Sequence, residues 1–275
     1  TSPGTTLGMA LALRGNKELA IGAPGHKQIP GAVYITSLPD LRVTSILKGS
    51  EIGDEFGSAI SSLEDFDGDG TTDLLIGAPN ANGKLPAVGA VYLTLGRGYL
   101  KRIGEGKETG DRFGHTILYT GDTSGDNIPE VLVAAPMAAK LAGEVTLLSL
   151  SGHRLWSQPG NSSGERFGTA MAVVATDRVR GYATEFLIGA PGAGFMGKKN
   201  AGRGYLLSAD GESLDFITGQ EEGLELGSIV SEGPTFEEGG NSSLVLISPN
   251  FFDGKYIGRS NFYLRKAKVD SQDNR

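Results

Sequence analysis

The chain has 275 residues, 39% hydrophobic and 21% charged, with a formal net charge of −7. That acidity provides no basic face to neutralise phosphates, so nucleic acid is excluded as an expected partner, while a cation binder is favoured. The longest apolar run, "VLVAAPMAA", falls well short of the ~18 residues of a membrane span, and with no cysteine there are no disulfides or thiolate metal sites.

Glycine is abundant, 43 residues against a usual share of ~7%. The glycines are interleaved with Val, Ile, Leu and Tyr, which reads as turns between many short strands. Residues 5–50 open with "TTLGMALALRGNKELAIGAPG": a strand, the tight turn "RGNKE", and a second strand ending at Pro24. A third strand "GAVYITS" and a fourth "SILKG" follow. Residues 51–107 repeat the plan with "DEFGSAISSLEDFDGDGTTDLLIGAPN", then "GAVYLTL" and "KRIGEG". Residues 108–161 carry "DRFGHTILYTGDTSGDNIPEVLVAAPM", "GEVTLLS" and "RLWSQPG". Residues 162–220 carry "ERFGTAMAVVATDRVRGYATEFLIGAPG", "GRGYLLS" and "DFITG"; residues 221–268 carry "LELGSIVSEGPTFEEGGNSSLVLISPN" and "GRSNFYL", and 269–275 form a tail.

The phase is fixed by a large apolar residue followed by glycine, at Leu7-Gly8, Phe56-Gly57, Phe113-Gly114, Phe167-Gly168 and Leu226-Gly227, and by a proline closing the second strand, at Pro24, Pro79, Pro136, Pro191 and Pro249. Four antiparallel strands recurring every ~55 residues, without helical apolar periodicity, predict an all-β fold of propeller blades. A sandwich or solenoid would not need both motifs at constant phase. Small residues let crowded strands approach, and Pro removes a ladder donor to end them. Five blades either close a ring or belong to seven in a longer or cleaved chain. The last copy ends after its third strand, and six residues precede Leu7.

In the second repeat Asp65, Asp67, Asp69 and Asp73 occupy positions 1, 3, 5 and 9 of a loop, with Thr71 at 7 and Gly70 supplying the turn. Alternating positions of a tight loop turn carboxylates inward, and the Thr71 carbonyl adds one more hard oxygen, a set suited to calcium at ~2.4 Å. An EF-hand is excluded, because Ile76 stands where its bidentate Glu would be and strands flank the loop. The third repeat offers Asp122, Ser124, Asp126 and Glu130, with the Ile128 carbonyl, as a second calcium set. In the fourth only Asp177 and Glu185 remain and Arg178 and Arg180 arrive, so a guanidinium paired with Glu185 is expected in place of the ion. The first and last repeats retain no ligand set.

"EFG…DFDGDGTTDLLIGAP…GAVYL" resembles the FG-GAP repeat of integrin α-subunit β-propellers and of the C-terminal propeller of glycosylphosphatidylinositol-specific phospholipase D. The likeness covers all five repeats and is strongest in the second to fourth. It implies a seven-bladed propeller with calcium in the hairpin between the first two strands of some blades, opposite the ligand-binding loops.

No enzymatic signature survives inspection. "GAGFMGKK" nearly spells a phosphate-binding loop, but Lys199 replaces the required Ser or Thr and no helix is predicted after it. His26, His115 and His153 lie in different repeats, and no activated nucleophile stands out. Any catalysis therefore belongs to another segment or chain. Asn161 and Asn241, each in Asn-Ser-Ser, match glycosylation acceptors and with calcium point outside the cell. The expected role is recognition of a protein or glycoconjugate through the loops after each proline, which carry Lys27, Lys84, Lys140, Lys198, Lys199 and Lys255. The competing reading is the accessory propeller of a phospholipase D.

Overall fold

The computed structural model describes residues 6–25, 30–95, 98–176, 182–235, 242–248, 251–252, 255–256 and 259–263. The chain divides into two compact units, Thr1–Thr169 and Ala170–Arg275. In the first, three four-stranded sheets follow one another: β1 (Leu11–Arg14), β2 (Glu18–Ala23), β3 (Pro30–Ser37) and β4 (Val43–Ile52); β5 (Ala59–Ser62), β6 (Leu74–Ala78), β7 (Ala90–Leu95) and β8 (Tyr99–Glu105); β9 (Thr116–Gly121), β10 (Glu130–Ala135), β11 (Glu144–Ser149) and β12 (Arg154–Pro159). In the second unit are β13 (Ala170–Thr176), β14 (Ala183–Ala190), β15 (Arg203–Ser208) and β16 (Ser213–Thr218), then β17 (Ile229–Thr235), β18 (Ser242–Ser248), the short pair β19 (Phe251–Phe252) and β20 (Lys255–Tyr256), and β21 (Arg259–Tyr263). Every sheet is an antiparallel meander in chain order, the last with three strands among the described residues. These are the predicted blades. Among the described residues the one helical segment, α1 (Ala138–Leu141), has left-handed Ala139 and Lys140 inside it and serves as a tight turn.

The middle strands read as continuous apolar runs because both of their faces are covered. On β6, Leu74, Ile76 and Ala78 face the first sheet and pack with Ala20, Val33, Ile35 and Leu47, while Leu75 faces the third with Val131, Val133 and Leu148. In the second unit Leu187 and Leu206 pack against Val230, Leu244 and Leu246 in the same way. Within each unit adjacent sheets therefore share a core, as wedged blades require.

The two sequence motifs meet in space. A Cβ built on Gly77 would lie 2.1 Å from the Gly114 carbonyl oxygen, and one on Gly22 would lie 2.2 Å from that of Gly57. The glycine opening the third strand is pressed just as closely: a Cβ on Gly89 would stand 2.2 Å from the oxygen and 2.4 Å from the nitrogen of Phe113. Here the Phe113 N–H donates to the Val88 carbonyl (3.1 Å), and the contact recurs between Phe167 and Ala142 (2.9 Å) and between Leu226 and Ala201 (3.2 Å). Phe56, Phe113 and Phe167, buried at these junctions, anchor each repeat on its predecessor. The boundary of the first compact unit falls just after Phe167-Gly168 because that pair packs on the third sheet.

The turn leading into each pair carries two features the motif did not announce. Asp54, Asp111 and Glu165 are buried, and the latter two accept backbone N–H bonds from Lys107 and Glu108 and from Asn161 and Ser162. Burial pushes the Asp54 carboxyl above its ordinary range, and the Glu51 charge adds to this. The next residues, Glu55, Arg112, Arg166 and Glu225, are all left-handed, with φ of 58°, 60°, 57° and 51°. Pro249 lies outside the described residues.

Gly77→Ala, which meets fixed backbone, is expected to destabilise the fold by about 3 kcal/mol. Gly110→Ala has φ +84° but nothing within 4 Å, and should cost only about 1 kcal/mol. Denaturant unfolding of the two variants tests the interlock; equal losses would remove it.

Candidate metal centres

In each meander the hairpin between the first two strands lies at one end of the sheet and the hairpin between the second and third at the other. Both acidic loops are hairpins of the first kind. In the β5–β6 loop, Asp65 acts as an internal cap: its Oδ1 accepts the N–H groups of Gly68 (2.8 Å) and Asp69 (3.0 Å), and its Oδ2 accepts that of Gly70 (2.7 Å). Asp67 Oδ1 accepts the Asp69 N–H (3.1 Å) and Asp69 Oδ1 that of Thr71 (2.8 Å). Gly68 and Gly70 are left-handed, at φ 78° and 85°, so the backbone can curl around its own carboxylates.

Asp73, buried at the return of the loop, accepts the Phe66 N–H on Oδ2 (3.0 Å) and the Thr94 hydroxyl on Oδ1 (3.3 Å). The same hydroxyl accepts the Leu74 N–H (2.8 Å). Oxygens of Asp65, Asp67 and Asp73 lie within 4.8 Å of one another. Two oxygens each ~2.4 Å from a common ion are at most about that far apart, so the trio fits a hard divalent cation. Asp69 does not join the trio.

The β9–β10 loop repeats the scaffold. Asp122 accepts the N–H groups of Gly125 (2.8 Å) and Asp126 (3.1 Å) on Oδ1 and of Asn127 (2.9 Å) on Oδ2, and Asp126 Oδ1 accepts that of Ile128 (2.8 Å). Asn127 replaces the glycine at φ 67°, which asparagine tolerates better than most residues. Oxygens of Asp122, Asp126 and Glu130 converge within 4.8 Å. The difference lies in Glu130. Its Oε2 accepts the Thr123 N–H and hydroxyl and the Ser124 N–H, and its Oε1 accepts the Ser124 hydroxyl (3.1 Å). Donors thus surround this fully buried carboxylate, and Ser124 spends its hydroxyl proton on it.

Burial raises the Asp73 carboxyl above its ordinary value, and the neighbouring Asp67 charge pushes the same way against the Phe66 N–H. Beside the second loop, burial together with the charges of Glu64, Glu130 and Asp122 pushes the Tyr119 phenol up to about 12. Both loops therefore hold concentrated negative potential.

Asp177, Arg178, Arg180 and Asn241 lie outside the described residues, as do His26 and Lys27. Glu185 sits on β14 opposite Ala175 and Ser208. Asn161 is exposed on the turn after β12. Lys84, Lys140, Lys198 and Lys199 are exposed in the opposite-end loops of their sheets. Sequence reasoning missed Thr94, for which there was no signal: Thr36, its counterpart in the first repeat, serves a hairpin without an acidic loop.

A family model described as FG-GAP repeat matches residues 56–94, the stretch from Phe56 through the acidic loop to β7. The chain carries an FG-GAP repeat on a β-propeller fold. Integrin alpha-PS5 of Drosophila melanogaster is 30% identical over 62% of this chain and 18% of its own length. Phosphatidylinositol-glycan-specific phospholipase D of Homo sapiens is 28% identical over 87% of this chain and 34% of its own. The chain thus spans about a third or less of these relatives. The structure of the Dos1 propeller has a TM-score of 0.56 at 13% identity, covering 88% of this chain and 52% of that one, and shares the fold.

A carboxylate must be ionised to ligate a metal. Raised in the folded state above 3.8, Asp73 favours the metal-free fold most below its unfolded value and loses that contribution as pH rises through its folded pKa. Calcium affinity should accordingly fall as pH drops from neutrality toward the carboxylate range. Titration calorimetry at stepped pH checks this; an affinity independent of pH would contradict it.

Proposed function

We propose that this chain is a non-catalytic propeller region, stabilised by calcium, that recognises a protein or glycoconjugate outside the cell. The observation that carries the calcium part is the convergence of Asp65, Asp67 and Asp73 in a loop already shaped by its own N–H donors. A bound ion supplies charge neutralisation there, relieving repulsion among carboxylates and locking the β5–β6 hairpin. Thr71 and Ile128 are the proposed carbonyl donors, and Asp69 and Ser124 complete the two sets through small side-chain turns. The second loop, whose Glu130 is already surrounded by donors, is the weaker site.

Recognition is assigned to the loops at the other end of the sheets. There Leu85, Leu141 and Met196 are exposed beside Lys84, Lys140 and Lys198. Loops on a rigid scaffold can vary without disturbing the core, which suits them to binding. The integrin alpha relatives support this reading, and the exposed Asn161 suits a glycosylated surface. Among the described residues no helix is long and apolar enough to cross a membrane.

The alternative is the accessory propeller of a phospholipase D acting on lipid-anchored proteins, favoured by the 87% coverage in that match. A His/Asp-rich zinc domain encoded on the same polypeptide would select it; adhesion-type modules would select the first reading.

At calcium one hundred times the dissociation constant, binding stabilises the fold by about 2.7 kcal/mol, a rise in melting temperature of roughly 5–10 °C for a chain of this size. Asp65→Ala with Asp73→Ala should remove most of that rise, and Asp122→Ala with Glu130→Gln a smaller part. A melting curve indifferent to calcium and chelator would sink the metal reading. Screening the calcium-loaded chain on extracellular-protein and glycan arrays tests recognition, and failure to bind either class counts against it.

A further inference from the structure

The first repeat has no acidic loop, yet its β1–β2 hairpin reaches that of the second. Arg14, at the end of β1 and with only 16% of its side chain exposed, donates from Nε to the Thr72 carbonyl oxygen at 2.7 Å. Its outer nitrogen bonds Glu18 Oε2 at 3.2 Å, and Glu18 Oε1 takes the Thr44 hydroxyl at 3.4 Å, so the guanidinium is held from behind. The hairpin tip is equally close: a Cβ on Gly15 would lie 3.4 Å from Thr72 Oγ1. Arg14, Glu18, Asp69, Thr71 and Thr94 line one cleft of about 440 Å³ between the two.

We infer that Arg14 is a positioning residue for the metal loop of the neighbouring repeat. The carbonyl it grips belongs to the planar peptide that joins Thr72 to Asp73. Fixing that plane fixes the backbone from which the Asp73 carboxylate projects. On that peptide itself the other tie is long, the Asp73 N–H reaching the Glu64 carbonyl at 3.4 Å; beyond it the Leu63 N–H holds the Asp73 carbonyl at 3.1 Å, and Thr94 holds the Leu74 N–H and Asp73 Oδ1.

The third repeat provides an internal comparison. The counterpart of Thr72 is Pro129, whose carbonyl accepts the Leu150 N–H at 3.0 Å, a bond within its own repeat. The counterpart of Arg14 is Leu63, buried in the shared core. The two loops thus differ in what reaches this carbonyl from the preceding blade: a guanidinium at the Asp65 loop, and at the Asp122 loop a position taken by an apolar core residue. Among the described residues, only the Asp65 loop receives such a guanidinium on this carbonyl.

This assignment rests on the calcium reading above, and its test separates the two. Calcium binding is measured by titration calorimetry on the full chain carrying Asp122→Ala, which leaves the Asp65 loop, and on the full chain carrying Asp65→Ala, which leaves the other. Adding Arg14→Ala should weaken calcium about tenfold at the Asp65 loop, the low end for an outer-shell partner, and leave the other site unchanged. Arg14→Lys, which retains the charge but not the directed Nε–H, should fall between, and carries the test if the alanine variant does not fold. Equal affinity with and without Arg14 overturns the assignment, and so does a matching loss at both loops, which would mark a general effect on folding. A parent chain that takes no calcium would overturn the calcium reading and this assignment with it.

Discussion

The close approach of backbone to backbone between consecutive sheets is the constraint on which the rest of the structure depends. Gly22, Gly77 and Gly189 each face the carbonyl of the next repeat's Φ-Gly glycine, at distances a side chain cannot share. Gly31, Gly89, Gly143 and Gly202 do the same against the residue before it. With the backbones in contact, the sheets wedge near one edge, and the aliphatic side chains on both faces of the middle strands fill the space that opens beyond. The one departure is instructive. Ala134 replaces the glycine in the third repeat, and there Gly168 stands off the Ala134 methyl and Val145 instead of meeting a bare chain.

This constraint explains what could be read from the sequence. Glycines at a forced position recur with the repeat, so phase, strand order and strand type were all visible from Phe56-Gly57 and Gly77-Ala78-Pro79 and their copies. The acidic loop was visible because oxygen ligands in a short turn demand alternation. The details that escaped depend on hydrogen bonds with no fixed sequence cost. Asp69 occupies a ligand position by spacing but turns one oxygen to its own loop's Thr71 N–H, whereas its counterpart Asp126 both bonds Ile128 and joins the cluster. Ser124 was legible as a ligand by position, and its donation to Glu130 was not. The left-handed residues before each Φ-Gly include Glu and Arg, types that carry no turn signature.

The two acidic loops also show how a motif can decay without losing its frame. Asp65 and Asp122 perform the same capping, with the same three N–H partners by position, although the residues between them differ. What changes is the far end. Asp73 has the Thr94 hydroxyl and the N–H groups of Phe66 and Asp67 around it, while Glu130, one methylene longer, reaches the hydroxyl and N–H of both Thr123 and Ser124. A longer acid thus satisfies by internal bonding part of what a shorter one leaves to an external charge.

The Φ-Gly pair opens a repeat in the sequence but closes a packing layer in space. Modules read from similarity and modules that hold together are therefore out of step by the length of one turn. A gene segment copied from just after one such pair through the next carries its own seam with it. One copied from motif to motif leaves its leading phenylalanine without the sheet it was shaped to cover. Duplication and grafting of blades should tolerate the first cut and punish the second, whatever the loops have come to bind.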